Sequence, residues 1–426
     1  MGFSRDLRQA TRIFSRSPGF AAISVIALAL GVGLTTTMFS IVNGALFKGL
    51  PFPDSKGILH LERNNLSAGI ESMEVTLHDY LDWREQQRAF ESLEAYYSGT
   101  VNIRGTERAE RYSGAFVTAG LFSLLKVEPV LGRGFREGED TPGAEPVVVL
   151  GHRMWQDRYG GDPGVIGTTV WANGEQMTVV GVMPEGFRFP VQEEIWLANR
   201  QDPLELERGA GTTLEVIGRL HDGQGPDQAA LEINRIAQLL AEEYPETNEG
   251  VGAAVKPFVE EYVDVQAKGL LFAMLGATFL VLLVASANVA NLLLARAASR
   301  TREVALRTAL GASRRAVVSH MLSESLVLSV GGALVGLVIA WFAIASFVAA
   351  IESTEPPFWM DFGFDLTVFL FVAGVTLLGA ILSGVIPALK ATSKNVAGIL
   401  NDESRGSSGL RIGRLSRILV VSEIAL

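Results

Sequence analysis

Cysteine is absent from the 426 residues, and no segment matches the phosphate-binding loop G-x-x-x-x-G-K-[ST]. A large folded region without cysteine has no disulfides, so its own hydrophobic core must hold it together. Because the phosphate loop is missing, any nucleotide that drives this protein must be bound by another chain. We therefore expect ATP hydrolysis, if it is involved, on a separate subunit.

Groupings of residues that perform catalysis are also missing. The five histidines are scattered, and no pair has the spacing of metal ligands on one helix face. The adjacent carboxylates Glu193-Glu194 and Glu260-Glu261 are typical of solvated loops in an acidic region. We therefore predict no catalytic residue, metal or cofactor. The formal net charge of −10 leaves no domain-sized basic surface, which argues against nucleic acid as a partner.

Long apolar runs dominate what is present. The chain is 48% hydrophobic, with a mean hydropathy of +0.27. Its apolar residues concentrate in residues 20–47, 270–295, 321–351 and 366–389. Each run is about as long as the ~20 residues that cross a bilayer, or longer. The sequence therefore predicts four membrane spans.

Charge sorts the segments between these spans. Residues 1–19 carry four Arg against one Asp, and residues 296–315 carry six Arg against one Glu. Residues 390–417 are basic as well, whereas residues 48–268 carry 20 Lys and Arg against 36 Asp and Glu. Basic segments stay in the cytoplasm, where they also face anionic lipids. We therefore expect an inner-membrane protein whose acidic region lies outside the cytoplasm.

These observations give a multi-pass α-helical membrane protein with a large α+β domain between spans 1 and 2. The expected segments are a cytoplasmic amphipathic helix (1–19), span 1 (20–47), the periplasmic domain (48–268), span 2 (269–295), a cytoplasmic connector (296–320), span 3 (321–351), a short periplasmic loop (352–365), span 4 (366–389), a cytoplasmic linker (390–417) and the start of a further span (418–426). That last apolar stretch favours the front part of a longer polypeptide. A cleaved signal peptide is the alternative for the N-terminus, but Ala27-Leu28-Ala29 lies inside the apolar run.

The acidic region has the alternating patterns of strands and helices. We expect it to form two subdomains, with a hairpin turn at Asn173-Gly174. The predicted strands cover residues 57–63, 146–150 and 178–182, and the predicted amphipathic helices cover residues 77–90 and 228–244.

Polar residues inside the spans are candidates for packing or function. Asn288 and Asn291 in span 2, with Ser286, indicate a face that packs inside a helix bundle. Gly332 and Gly336 in span 3 have the spacing of a close helix contact. Glu324 lies near the start of span 3, where it either pairs with a nearby Arg or couples to protons.

The segment between spans 2 and 3 is basic and helical in pattern. Glu303 lies in the expected first turn, and Gly311 suits the end of the helix. A surface helix joined to two spans is one interpretation. A basic loop that only fixes the topology is the other.

The same segment resembles a known family. Residues 302–307 (REVALR) and 309–312 (ALGA) resemble the cytoplasmic signature of MacB/FtsX-type ABC transporter permeases, and residues 386–388 (IPA), with Pro387, resemble the family's fourth-span ending. Residues 155–189, with GGDP at 160–163 and VVGVMP at 179–184, resemble the MacB-like periplasmic core. The resemblance covers nearly the whole chain. It is closest to duplicated MacB-like permeases in which the ATPase is a separate protein, and this chain would be the first half of one.

The resemblance implies a function. Such permeases transmit ATP-driven motion of a partner ATPase to their periplasmic domains. It implies that Arg302, Glu303, Arg307 and Gly311 form the coupling helix that contacts the ATPase. It also implies a second permease unit, in the same polypeptide or a homodimer, and periplasmic or outer-membrane efflux components. The alternatives are an FtsX-like regulator of a cell-wall hydrolase, a lipoprotein-extraction permease and, in a different class, a membrane-anchored enzyme.

Overall fold

The computed structural model describes residues 17–104, 109–299 and 314–393. The chain divides into two compact units. Of the described residues, 17–44, 265–299, 314–351 and 362–393 form the helical unit, and 45–104, 109–264 and 352–361 form the sheet domain. The chain therefore passes between the two units four times.

The elements are named in chain order. The helices are α1 (Pro18–Val42), α2 (Leu77–Gln86), α3 (Leu121–Leu125), α4 (His152–Tyr159), α5 (Pro226–Glu243), α6 (Pro245–Asn248), α7 (Phe258–Tyr262), α8 (Val265–Ser299), α9 (Arg314–Ile351) and α10 (Leu366–Ser393). The strands are β1 (Ile58–Asn65), β2 (Ile70–Met73), β3 (Phe90–Arg104), β4 (Ala109–Val117), β5 (Leu131–Gly132), β6 (Val147–Leu150), β7 (Thr169–Ala172), β8 (Glu175–Val182), β9 (Ile195–Ala198), β10 (Glu215–Leu220) and β11 (Gly252–Pro257).

Within the described ranges, the helical unit contains four helices that are long and apolar enough to cross a membrane. Their apolar segments are Pro18–Phe47, Val265–Arg296, Met321–Thr354 and Leu366–Val385. Large hydrophobic side chains such as Leu334, Trp341 and Leu370 remain more than half exposed on their outer faces. Lipid is the environment that suits such a surface.

Small residues bring α1 and α9 close together. A Cβ added at Gly332 would lie 2.7 Å from the Cβ of Leu28. A Cβ at Gly336 would lie 3.0 Å from the carbonyl oxygen of Ala29. Side chains at these positions would therefore push the two backbones apart. The structure thus places the predicted Gly332 and Gly336 pair at a tight helix crossing.

One mixed sheet runs through the sheet domain. Its 11 strands include the path β11-β1-β10-β3-β4-β9-β6-β8-β5, with β2 added beside β1 and β7 bridging β3 and β8. The 15-residue strand β3 joins its halves, because it pairs with β10 near its start and with β4 along Tyr96–Arg104. The two predicted subdomains are therefore parts of one continuous sheet.

Three cores stabilise this sheet. Helices α2 and α5 cover one end, where Trp83 and Tyr80 are almost fully buried. Helix α4 covers the other end through Met154. A central aromatic core contains Phe189 and Trp196. In a domain without cysteine, apolar burial of this extent provides the stability that disulfides would otherwise add.

Most of the predicted elements of the domain are present, with one correction. Asn173 and Gly174 both have positive φ, 52° and 83°, as a tight hairpin turn between β7 and β8 requires. The predicted helix over residues 77–90 is too long. Helix α2 ends at Gln86 because Gln87 is extended, and the Phe90 N–H donates to Gln87 Oε1 at 2.9 Å as β3 begins.

Candidate functional site

The basic segment that the sequence marks as a coupling helix falls outside the described residues. Helix α8 ends at Ser299 and α9 begins at Arg314. The residues between them are not described, and these include Arg302, Glu303, Arg307 and Gly311. Residues 1–16 and 394–426 are not described either.

The described residues next to the basic segment show that the end of α8 lies beside the start of α1. Arg296, near the end of α8, donates from Nη2 to Ser17 Oγ at 2.6 Å. Its guanidinium also lies 4.7 Å from the ring centroid of Phe20, a cation–π contact. The start of α1 and the end of α8 therefore share one end of the helical unit.

The opposite end of the helical unit joins α1 to α10. Ser40 Oγ donates to the Phe362 carbonyl oxygen at 2.6 Å, and Asn43 Nδ2 donates to Asp365 Oδ2 at 3.2 Å. Asp365 also caps α10, because its Oδ1 accepts from the Val368 N–H at 2.9 Å. These contacts connect the end of the first helix with the start of the fourth.

Buried hydroxyls mark the contact between α9 and α10. Ser325 Oγ donates to the Ala380 carbonyl oxygen at 2.8 Å, and Ser325 also contacts Ser383. A Cβ at Gly384 would lie 3.0 Å from the Ser325 Cβ. Glu324, beside Ser325, is only 7% exposed. The charge-bearing residue of this span therefore lies inside the helical unit.

The polar residues of α8 are divided between its faces. Ser286, Val289 and Ala290 are at most 1% exposed. Asn288 and Asn291 flank this buried face and are half-buried. Pro387 lies within α10, and its side-chain surroundings are outside the described part. The roles predicted for these residues stay predictions.

A short loop between the third and fourth long helices belongs to the sheet domain. We call residues 352–361 the anchored loop. Trp359 is 2% exposed, and its ring packs at right angles to Tyr262, with centroids 5.9 Å apart. Phe358 packs on Phe52 at 5.9 Å between centroids. Both aromatic residues thus enter the central core of the domain.

Polar contacts fix the anchored loop as well. The Phe358 N–H donates to the Val191 carbonyl oxygen at 2.8 Å. Gln192 Nε2 donates to the Pro356 carbonyl oxygen. Lys48 Nζ lies 2.6 Å from Asp361 Oδ2. The loop is therefore an integral part of the domain core. The sequence predicted only a short connecting loop at this place.

A groove beside the anchored loop is the candidate pocket of the domain. It has a volume of 560 Å³ and is lined by α4, by residues 185–188 and 192–194, and by Phe358. Its charged lining is partly paired internally, since Arg153 Nε lies 3.4 Å from Asp157 Oδ2.

Two family models match the chain in succession. Residues 21–236 match the MacB-like periplasmic core domain, and residues 275–396 match the FtsX-like permease C-terminal region. The first match alone covers half of the chain.

Among curated relatives, the macrolide export ATP-binding/permease protein MacB of Nitrosomonas europaea is 24% identical over 423 residues, which cover 94% of this chain and 60% of that protein. The pyoverdine export ATP-binding/permease protein PvdT of Pseudomonas syringae pv. tomato is 25% identical over 282 residues, or 65% of this chain and 40% of that protein. The chain thus spans about half the length of these relatives.

Solved structures of similar domains include the periplasmic region of MacB from Actinobacillus actinomycetemcomitans. That likeness has 12% identity and a TM-score of 0.36, and it covers 51% of this chain and 92% of the other. The family assignment rests on the two family models in series. The motifs at residues 302–312 and 155–189 agree with them. The chain belongs to the MacB/FtsX-type family of ABC transporter permeases.

Proposed function

We propose that this chain is the permease subunit of an ABC-type exporter or mechanotransmission complex. In this proposal a separate ATPase hydrolyses ATP, and the long helices carry the resulting motion to the sheet domain, which moves or expels a substrate. The names of the relatives support export, since they describe macrolide and pyoverdine export proteins. The match to the MacB-like core favours export over an FtsX-like hydrolase regulator or a lipoprotein-extraction permease.

The orientation belongs to the same proposal. The contact between Ser17 and Arg296 joins the start of α1 to the end of α8. Each of these helix ends adjoins a basic segment of the sequence, residues 1–19 and 296–315. We place this end in the cytoplasm and the acidic sheet domain in the periplasm. The contact between Ser40 and Phe362 then lies at the periplasmic end. This arrangement is consistent with four spans that alternate in direction across the inner membrane.

The anchored loop is the observation that carries the proposal. The chain leaves or enters the sheet domain at four places, after residues 44, 264, 351 and 361. Two of these places flank the anchored loop, whose Trp359 and Phe358 lie in the domain core. A flexible connector would absorb a displacement of the helices. A loop fixed by packing and hydrogen bonds transmits it, because packed interiors resist deformation.

The partners follow from this role. Arg302, Glu303 and Arg307 would contact the ATPase, and a second permease unit would complete the pair, in the same polypeptide or a homodimer. Membrane lipids would surround the exposed apolar faces. Periplasmic or outer-membrane components would receive the substrate.

Charge reversal tests the coupling segment. Arg302→Glu with Arg307→Glu should lower ATPase activity that depends on this chain, because the family motif assigns both residues to the segment that would contact the ATPase, where reversed charge disfavours association. Arg411→Glu with Arg414→Glu is the matched control, since it reverses two arginines in the expected cytoplasmic linker. Both variants should insert into the membrane at the wild-type level. Equal ATPase activity in the two variants would refute the assignment.

A further inference from the structure

Five ionisable side chains meet on one face of the sheet domain. We call His60, Glu62, Glu215, Lys256 and Glu261 the His60 cluster. Strand β1 lies between β10 and β11, and alternation along β1 places His60 and Glu62 on the same face. Lys256 of β11 is the direct cross-strand partner of His60. Glu215 begins β10, and Glu261 comes from α7.

The charges of the His60 cluster do not balance. Three carboxylates face one ammonium, which is an excess of two negative charges before His60 is counted. Glu62 is 5% exposed and His60 is 1% exposed. Uncompensated charge of one sign is costly at such burial. A divalent cation among the three carboxylates would offset most of their negative charge, also when the Lys256 ammonium turns to solvent.

The two ring nitrogens of His60 have different surroundings. Nε2 lies 2.7 Å from Glu215 Oε2. Because an ionised carboxylate only accepts, Nε2 carries a hydrogen, and Nδ1 is the nitrogen that a metal ion would take. Nδ1 lies 3.4 Å from Glu261 Oε2 and has no hydrogen-bond partner among the described residues. Buried Nδ1 therefore faces a carboxylate oxygen without a hydrogen bond between them, an arrangement that a cation between the two atoms would stabilise.

The spacing fits a small metal ion. His60 Nδ1 and one carboxylate oxygen each from Glu62 and Glu261 all lie within 4.8 Å of one another. Tetrahedral zinc with bonds of about 2.0–2.1 Å separates its ligand atoms by about 3.3 Å. The distance of 3.4 Å between Nδ1 and Glu261 Oε2 matches that edge. A histidine whose other nitrogen donates to a carboxylate is the usual arrangement around protein-bound zinc.

We propose that His60 Nδ1, Glu62 and Glu261 bind one zinc ion, that Glu215 orients His60, and that Lys256 holds the site closed when the ion is absent. Lys256 Nζ lies 2.6 Å from Glu62 Oε2 and 2.6 Å from Glu261 Oε2, between the two carboxylate ligands. Its side chain is 25% exposed, so the ammonium can leave to solvent when zinc enters. A water molecule completes the coordination from the same side.

Bound zinc would tie α7 to β1. Glu261 lies four residues before Val265, where α8 begins. The ion would thus fix the segment through which the chain leaves the domain for the second long helix. This proposal does not depend on an ATPase partner, and its failure would leave the proposed function untouched.

Zinc binding by the full-length chain in detergent tests the proposal. After treatment with a chelator and dialysis against micromolar zinc sulfate, elemental analysis should find one zinc per wild-type chain. His60→Gln should remove it. Glu215→Gln should weaken binding by about 10- to 100-fold, the usual effect of losing the carboxylate behind a metal-bound histidine. Lys256→Met should tighten binding, because it removes the competing ammonium.

Two controls keep the test decisive. His221→Gln changes an exposed histidine and should retain the zinc. Circular dichroism should show that His60→Gln is folded, and the gain in Lys256→Met cannot arise from misfolding. Absence of zinc from the wild type, equal binding by His60→Gln, or loss of zinc in His221→Gln would each overturn the proposal.

Discussion

Replacing Trp359 by alanine should release the anchored loop from the sheet domain. The indole is 2% exposed and contacts Phe258 and Tyr262, with centroids 6.5 and 5.9 Å away. Truncating a buried tryptophan to alanine costs about 3–5 kcal/mol, because apolar contacts are lost and a cavity remains. For a domain of this size each kcal/mol lowers the melting temperature by about 2–4 °C, so we expect a decrease of about 6–20 °C.

Trp359→Phe separates packing from polar effects. The indole nitrogen has no hydrogen-bond partner among the described residues. Phenylalanine therefore removes no hydrogen bond found there, and it refills most of the space. It should cost less than half as much as alanine.

The assay combines a global and a local measurement on the full chain in detergent. Thermal unfolding followed by circular dichroism gives the change in melting temperature. Hydrogen exchange of residues 352–361 reports on the Phe358 N–H, which donates to Val191, and should accelerate in Trp359→Ala. Trp171→Ala is the matched control, since Trp171 is 42% exposed and its loss should cost at most about 1 kcal/mol. Equal melting temperatures for the two alanine variants would refute the anchoring of the loop.

Two further predictions concern a helix crossing and a buried carboxyl. Gly332→Ala should lower the thermal stability of the helical unit by about 1–3 kcal/mol, because the new methyl would lie 2.7 Å from the Leu28 Cβ. Gly374→Ala is the control and should leave stability unchanged, since nothing lies within 4 Å of its added Cβ. Equal losses of stability in the two variants would contradict the close crossing of α1 and α9. Burial raises the pKa of the Glu94 carboxyl above its ordinary value of 4.5, although a hydrogen bond from Thr118 opposes the shift. The folded chain then holds this proton more tightly than the unfolded chain, so stability should fall as pH rises from 4.5 through the folded pKa. Glu94→Gln should flatten that decline in melts at several pH values, and an unchanged profile would contradict the assignment.

Local patterns predicted the long helices and the turns. Uncharged runs of sufficient length identify helices α1, α8, α9 and α10, because length and hydropathy are properties of one segment. Asn173-Gly174 predicted a hairpin for the same reason. The end of α2 was missed because Phe90 continues the helical spacing, while the Gln87 side chain caps the start of β3 instead.

Contacts between distant segments could not be predicted in this way. Trp359 packs on Phe258 and Tyr262, about a hundred residues earlier. The adjacent aromatic residues Phe358 and Trp359 in a short loop were the available signal. The His60 cluster is similar, because β1 supplies His60 and Glu62 two residues apart, but Glu261 reaches them only through the fold.

The proposed coupling residues were predicted neither from local patterns nor from contacts in the fold. Arg302, Glu303, Arg307 and Gly311 were identified from a family motif, and the described residues end just before them and resume just after them. Their role therefore still depends on the family resemblance and on function, and the proposed contact has to be measured directly.

The most direct measurement is co-purification of the full-length chain with an ATP-binding protein, followed by its ATPase activity. The account predicts a stoichiometric partner that carries the phosphate loop missing from this chain. Its activity should be stimulated by the wild type and by Arg411→Glu with Arg414→Glu, but not by Arg302→Glu with Arg307→Glu. Absence of such a partner, or equal stimulation by both double variants, would contradict the account.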